Sequence, residues 1–243
     1  MIVLFTDYGL NGPYLGQIEA VLAEKAGTEK VLTLFADAPR TNPKASAYLL
    51  AAYNQGFPDN TIFFSIVDPG VGTDAHKPVV LRINESWYVG PDNGLFDLIA
   101  RQTTQIEAWE ILWRPEFLSS SFHGRDLYAP VAAMIANGIE IPGKGIKWQD
   151  QNSWPDNLQQ VIYIDHFGNC MTAVKASSLD DSIKVRFEDA LISSARTFSD
   201  VPYGTLFWYQ NANGLMEIAV NQGSAAERLN LTIGSGFRLE QVD

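Results

Sequence analysis

The chain changes rhythm near residue 137, and that change constrains its fold more than any other feature. Before it, short apolar runs alternate with stretches of helical spacing. Ile2–Thr6, Val31–Phe35 and residues 61–67 read as buried strands, and residues 106–111 as another. Residues 14–22 carry apolar side chains at Tyr14, Ile18, Val21 and Leu22, the spacing of one helix face. Residues 43–53 read as a second helix, with Asn42 as its cap and Pro43 at its first position. Residues 78–83 and 87–89 read as a hairpin around Asn84-Glu85-Ser86, and residues 94–101 and 125–136 as helical. Short buried strands alternating with helices predict an α/β domain with a mostly parallel sheet covered on both faces.

Beyond Asn137 the helical spacing fades. Residues 139–157 are rich in Gly, Pro, Asp, Asn, Gln and Trp with no clear period, and read as a linker. Short β-type runs then follow at 160–164, 170–174, 183–187, 205–209, 215–220 and 237–241, with turn signals at 211–214, 221–223 and 234–236. Such spacing predicts a small barrel or sandwich. The expected organisation is an N-terminal α/β domain at 1–138, a linker at 139–157 and a smaller C-terminal β domain at 158–243.

Charge and composition narrow the partners. The net charge is −11 and there is no Lys/Arg cluster, so nucleic acid is not an expected partner. The one cysteine, Cys170, lies in an apolar run, which fits a reducing cytosol and a packing role rather than a nucleophile. The first residues lack a basic region and a signal-length apolar segment, and no run approaches the ~20 apolar residues of a membrane span. A cytoplasmic protein without a membrane partner is expected.

Several loops at the ends of the expected strands could carry chemistry, since ligands in open α/β sheets bind beyond the carboxyl ends of the strands. Asp7 leaves the first strand in Phe5-Thr6-Asp7-Tyr8-Gly9, where a carboxylate can accept two hydrogen bonds from a ribose diol; it could equally cap the turn. Asp68 leads into Pro69-Gly70-Val71-Gly72-Thr73, a turn whose backbone can approach a ligand closely. Gly90-Pro91-Asp92-Asn93-Gly94 has the same form but is also ordinary turn chemistry. Ser121-Phe122-His123-Gly124-Arg125-Asp126 opens an apolar helical run, and His123 is one of only three histidines. A helix start gathers free N–H donors, so these residues could face a ligand, or could be a cap with an Arg–Asp surface pair. In the C-terminal part, Asp165-His166-Phe167-Gly168-Asn169 sets a carboxylate, an aromatic ring and an amide together, as a ligand or a plain β-turn would require. No dinucleotide Gly-x-Gly-x-x-Gly, Walker loop or Gly-x-Ser-x-Gly elbow is present. A metal hydrolase built on Asp7, Asp68, Asp92 and His123 is conceivable from residue type, but no metal-ligand spacing supports it, and no metal is expected.

Taken in order, FTDYG at 5–9, PYLGQIEAVL at 13–22, VDPGVGT at 67–73, YVGPDNGLF at 88–96, SFHGRDLYAPVAA at 121–133, DHFGN at 165–169 and NANGLMEIAVNQGSAA at 211–226 closely resemble the S-adenosylmethionine hydroxide adenosyltransferase family, relatives of the fluorinase and chlorinase enzymes. The resemblance covers nearly the whole chain. It implies an N-terminal α/β domain joined to a small C-terminal β-barrel, and hydrolysis of S-adenosyl-L-methionine to adenosine and L-methionine. It further implies a homotrimer whose active sites lie between the N-terminal domain of one subunit and the C-terminal domain of the next. S-adenosylmethionine is then the substrate, and no cofactor is implied.

By position, Asp7 resembles the ribose-diol ligand, and Asp165 and Asn169 resemble contacts to the methionine amine and the adenine. Asn213, with the backbone from Val220 to Gln222, falls where the family holds the carboxylate end and the adenine edge. Asp68 and His123 match two members of the Asp–Arg–His trio that holds the attacking water or hydroxide. The Arg of that trio is absent. Counting from the Gly-Val-Gly-Thr turn puts Ala75 at its position, and counting back from Pro78 puts His76 there, with Lys77 beside it. Neither His76 nor Lys77 reproduces a guanidinium fork. Two alternatives follow: an adenosine- or S-adenosylmethionine-binding protein with weak or no turnover, and a halogenase. The family's halogenases carry small hydroxyl residues in a tight halide pocket and an extra N-terminal-domain loop, whereas this compact chain carries His123.

Overall fold

The computed structural model describes residues 1–241. They divide into two compact units, Met1–Ser153 and a second beginning at Trp154. In the first unit, β1 (Ile2–Thr6) is buried at every residue. It pairs in parallel with β2 (Val31–Phe35) on one side and β3 (Ile62–Ile66) on the other. A parallel pair of β3 with β5 (Ser86–Pro91) extends the sheet, and β4 (Pro78–Ile83) folds back on β5 as an antiparallel hairpin. Antiparallel pairing of β4 with β6 (Ile106–Ile111), and of β6 with β7 (Gly143–Ile146), completes the order β2-β1-β3-β5-β4-β6-β7. Strands β1, β2, β3, β5 and β6 run one way and β4 and β7 the other, so the sheet is mostly parallel.

Alternation along the strands sends side chains to both faces. Ile2, Leu4, Phe64 and Val89 join Ile18 and Leu22 of α1 (Tyr14–Lys25) and Val131 and Ala132 of α4 (Ala129–Ala136) in one apolar cluster. On the other face Phe35 meets both Phe5 and Tyr53 of α2 (Pro43–Tyr53), and Tyr88 meets both Phe63 and Phe96. Phe96 leads into the short α3 (Asp97–Ala100). Asn42 caps α2, its side chain accepting from the Ala45 N–H, and Pro43 stands in the first turn.

The stretch expected as a linker, 139–157, is only partly one. Strand β7 lies inside it and adds to the first sheet. Further on, the Gln151 and Asn152 N–H groups donate to Asp97 Oδ2, and Arg101 pairs with Asp150. Gly-Lys-Gly-Ile has too little apolar pattern to announce a strand, and backbone pairing with β6 supplies what its side chains do not.

The second unit holds two antiparallel sheets. One, in the order β12-β13-β9-β8, uses β8 (Leu158–Ile164), β9 (Cys170–Lys175), β12 (Leu206–Gln210) and β13 (Leu215–Val220). The other is β11-β10-β14, from β10 (Ile183–Phe187), β11 (Ala190–Ile192) and β14 (Arg238–Gln241). Bridges Gln160–Gly236 and Ser194–Trp208 join the sheets at both seams, giving a small barrel. Val174, Val185, Trp208, Met216, Ile218 and Phe237 are in its core. Strand β11 and the helix α5 (Ala225–Leu229) were not expected. Ser224 caps α5 by accepting from the Glu227 N–H, so the Ser-x-x-Glu signature marks its start. Among the described residues no helix is long and apolar enough to cross a membrane.

Candidate functional site

In the first unit, parallel pairing sets the ends of β1 and β3 side by side, with Thr6 opposite Ile66. Asp7 and Asp68 therefore leave the same sheet edge on neighbouring strands. Asp7 Oδ2 accepts from the Thr41 N–H at 2.8 Å, and Thr41 adopts a left-handed conformation (φ 52°) to present it. Burial raises the Asp7 carboxyl above its ordinary range, against the Thr41 hydrogen bond and the Arg40 charge; repulsion from Asp68 adds to the rise. Burial also pushes the Tyr8 and Tyr128 hydroxyls up, helped by the charge on Asp68, so both stay protonated donors.

Close contacts draw the remaining loops to this edge. Asn93 Nδ2 donates to the Val67 carbonyl, fastening the 90–94 turn to the end of β3. Gly72, at φ 79°, lies so near the Ser120 carbonyl that any Cβ would collide with it. A Cβ on Gly124 would strike the Tyr8 hydroxyl in the same way. Tyr8, Tyr14 and Phe122 pack edge-to-face or tilted, with centroids 5.3–5.8 Å apart. The loops holding Asp7, Asp68 and His123 thus meet through missing side chains and an aromatic cluster.

Asp68 is the centre of the arrangement. Its Oδ1 accepts from the Gly70 N–H at 2.9 Å and lies 3.1 Å from His76 Nδ1. The Asp68 side chain is 8% exposed and that of His76 27%. Of the candidates for the missing Arg, His76 is the one on Asp68; Lys77 pairs instead with Glu110 at 3.1 Å, and Ala75 offers only its N–H, donated to Thr73. His123 is partly buried and directly precedes a π-helical turn, Gly124–Tyr128, that runs into α4. No hydrogen bond joins its ring to Asp68 among the described residues. The neighbouring Arg125 and Asp126 do form a pair, at 2.6 and 3.0 Å, and Arg125 also donates to Gln17. Asp92, which sequence reasoning left as turn chemistry, is partly buried with its carboxyl pushed up to about 6 by burial and by Asp97, against His76 and Lys77. The described residues contain no group of three or more His, Cys, Asp or Glu converging as metal ligands.

The second unit has a cleft of about 570 Å³ lined by Asp165, Phe167, Asn169, Phe198, Tyr209, Glu217, Val220, Gln222 and Gly223. Asp165 Oδ1 accepts from the Phe167 and Asn169 N–H groups, and its Oδ2 accepts from Asn169 Nδ2 at 3.0 Å. That turn holds Asp165 and Asn169 in fixed relation and leaves Phe167 72% exposed at the rim. Asn213 does not line the cleft; it sits exposed in the β12–β13 turn, its N–H donating to Asn211 Oδ1. Glu217 was missed. It is buried, with its carboxyl raised by burial and held by Tyr209 Oη at 2.6 Å and Asn211 Nδ2 at 2.9 Å. Tyr209 and Glu217 are direct cross-strand partners, a pairing only the register reveals. Cys170 is fully buried and its thiol pushed up to about 12, so it is an inert packing group.

Comparison with known proteins covers both units. Residues 2–145 match the SAM hydroxide adenosyltransferase N-terminal domain, and residues 159–238 the C-terminal domain. The chain is 32% identical to a protein named (R)-S-adenosyl-L-methionine hydrolase from Thermus thermophilus, over 98% of each chain. It is 34% identical to one of the same name from Salinispora arenicola, over 96% of this chain and 95% of that one. A fluorinase from Actinopolyspora mzabensis is 23% identical over 98% of this chain and 96% of its own. A crystal structure of a conserved protein from Thermotoga maritima superposes with a TM-score of 0.89 at 28% identity, covering 98% of this chain and all of that one.

Proposed function

The chain belongs to the SAM hydroxide adenosyltransferase family, and from that premise we propose that it hydrolyses S-adenosyl-L-methionine to adenosine and L-methionine. The observation that carries this reading is the Asp68 carboxylate, shared by the Gly70 N–H and His76 Nδ1 on the edge where Asp7 also emerges. His76 Nδ1 on Asp68 sets a polar ring beside the carboxylate where the family Arg is missing, which supports turnover over a binding-only protein.

Attack at the ribose C5′ expels a neutral thioether from a sulfonium, so no general acid is needed. The difficulty is the nucleophile, because water is weak and must sit in line behind that carbon. Orientation of this kind contributes up to ~7–11 kcal/mol in ideal cases. In this proposal Asp68 and His76 orient the oxygen, His123 takes its proton, and Asp7 receives the ribose diol. Burial of the site strengthens the attraction between a hydroxide-like oxygen and the sulfonium. In this proposal Asp165 and Asn169, which line the cleft, receive the methionine amine and the adenine, and Asn213 with the 220–222 backbone the carboxylate end and the adenine edge. The proposal includes a cytoplasmic homotrimer in which each substrate is shared between subunits. Mixing inactive Asp68→Ala and Asn169→Ala proteins would then restore part of the activity.

The deciding experiment is incubation of the pure protein with each sulfonium epimer of S-adenosyl-L-methionine, chelator present, in ¹⁸O-water. Adenosine bearing one ¹⁸O is expected, with preference for the (R) epimer that the relatives' names specify. No adenosine from either epimer would overturn the reading. His123→Ala should lower kcat and leave KM nearly unchanged; a variant at wild-type rate would remove His123 from the mechanism.

A further inference from the structure

An imidazole is a poor copy of a guanidinium. Arg offers five donors in a rigid fork and stays charged, whereas a histidine ring offers two donors at most, and only while protonated. With Nδ1 on Asp68, the His76 ring is held by one contact and by its seat on Gly70, where an added Cβ would lie 2.7 Å from Nδ1. Something else must fix the ring if it is to do the work of a fork.

The partner is on the next loop. The β4–β5 ladder ends with Pro78 opposite Pro91, and one further hydrogen bond, from the Asp92 N–H to the Lys77 carbonyl at 2.8 Å, carries the pairing one residue on. Asp92 thus leaves its strand at the level of His76 and Lys77. Its Oδ1 is buried without a hydrogen-bond partner, and its Oδ2 has only a long contact of 3.3 Å from Gln151 Nε2. Burial and the charge on Asp97 raise the Asp92 carboxyl to about 6, while His76 and Lys77 pull it down. Because the Lys77 ammonium is committed to Glu110, the His76 ring is the neighbouring group left to answer the orphaned oxygen.

We propose that Asp92 is a positioning residue that, with Asp68, brackets the His76 imidazole and so replaces the orienting power of the missing guanidinium. The inference rests on the hydrolase reading above. As pH falls through about 6 the Asp92 carboxyl is neutralised and its hold on the ring is lost.

Two measurements on the full-length protein test it. In ¹³C-aspartate NMR, with the Asp92 carboxyl assigned by its loss in Asp92→Asn, His76→Asn should move the Asp92 midpoint upward, because a cation that lowers it is gone. An unmoved midpoint would overturn the pairing, whether or not the protein proves to be a hydrolase. In steady-state kinetics, Asp92→Asn should lower kcat by ~10- to ~100-fold, the scale of a misplaced catalytic group, with KM little changed. In a His76→Arg background the same substitution should cost little, since a guanidinium needs no second carboxylate. Equal losses in both backgrounds would mean that Asp92 merely supports the fold. Failure of the wild type to release adenosine would sink the hydrolase reading, while the carboxyl titration still decides the pairing.

Discussion

Gly70→Ala isolates the His76–Asp68 contact. Gly70 has no positive φ, so alanine brings no backbone strain. Its Cβ would lie 2.7 Å from His76 Nδ1, 2.9 Å from Cε1 and 3.3 Å from Asp68 Oδ1. Ordinary contact begins near 3.4 Å, so the ring must retreat by about 0.7 Å. Added to the present 3.1 Å, a retreat of that size directed away from Asp68 carries the pair out of hydrogen-bonding range. Losing one oriented group should cost ~100-fold in kcat, or ~2.7 kcal/mol of transition-state stabilisation. The imidazole is a free side-chain end that can swing, so folding stability should fall by less than ~1 kcal/mol. Adenosine release followed by chromatography gives kcat and KM, and thermal unfolding gives stability. Gly72→Ala is the contrasting variant. There the obstacle is the Ser120 carbonyl and φ is 79°, so ~2 kcal/mol or more of stability should be lost, roughly 4–8 °C in Tm. A Gly70→Ala protein with wild-type kcat would refute the proposed role of His76.

Other perturbations test separate parts of the account. Asp92 has a raised carboxyl, so its contribution to stability is complete below the unfolded value near 3.8 and is lost as pH rises through about 6. Asp92→Asn should therefore stabilise the protein by ~1–2 kcal/mol at pH 8, allowing for screening, and the gain should vanish near pH 4; urea unfolding at the two pH values reads it. Asn42→Ala removes the cap of α2 and should cost ~1 kcal/mol by the same assay. Tyr209→Phe deletes a donor to the buried Glu217 carboxylate and should cost ~1.5–3 kcal/mol, with the Glu217 carboxyl rising further in ¹³C NMR.

The sequence was most legible where local chemistry and burial agree. Asn42 with Pro43 marks α2, and the all-buried run Ile2–Thr6 marks β1. Legibility failed where pairing alone makes the element. Strand β7 has two glycines and a lysine in four residues and exists because β6 offers it a ladder. Strand β11 is three residues long, and α5 is a five-residue helix visible only through its cap. In the candidate site, the aspartates at strand ends stand out because the parallel-sheet rule says where to look. The choice among Ala75, His76 and Lys77 could not be made from counting, because it depends on which side chain the loop turns toward Asp68. Glu217 and Tyr209 were hidden for a related reason, since their encounter depends on the register of β12 against β13.

Closing the second unit's two sheets into a ring leaves no free strand edge among its described residues, whereas the first unit's sheet ends in two. A free edge is a template on which another extended chain can polymerise. The edges are unequally protected. Strand β7 is blunted by Gly143, Lys144 and Gly145. Strand β2 is Val-Leu-Thr-Leu-Phe, uncharged, with Leu32 45% exposed. Off-pathway aggregation of this protein should therefore start along β2, and a lysine at exposed Thr33 is the change that would guard it.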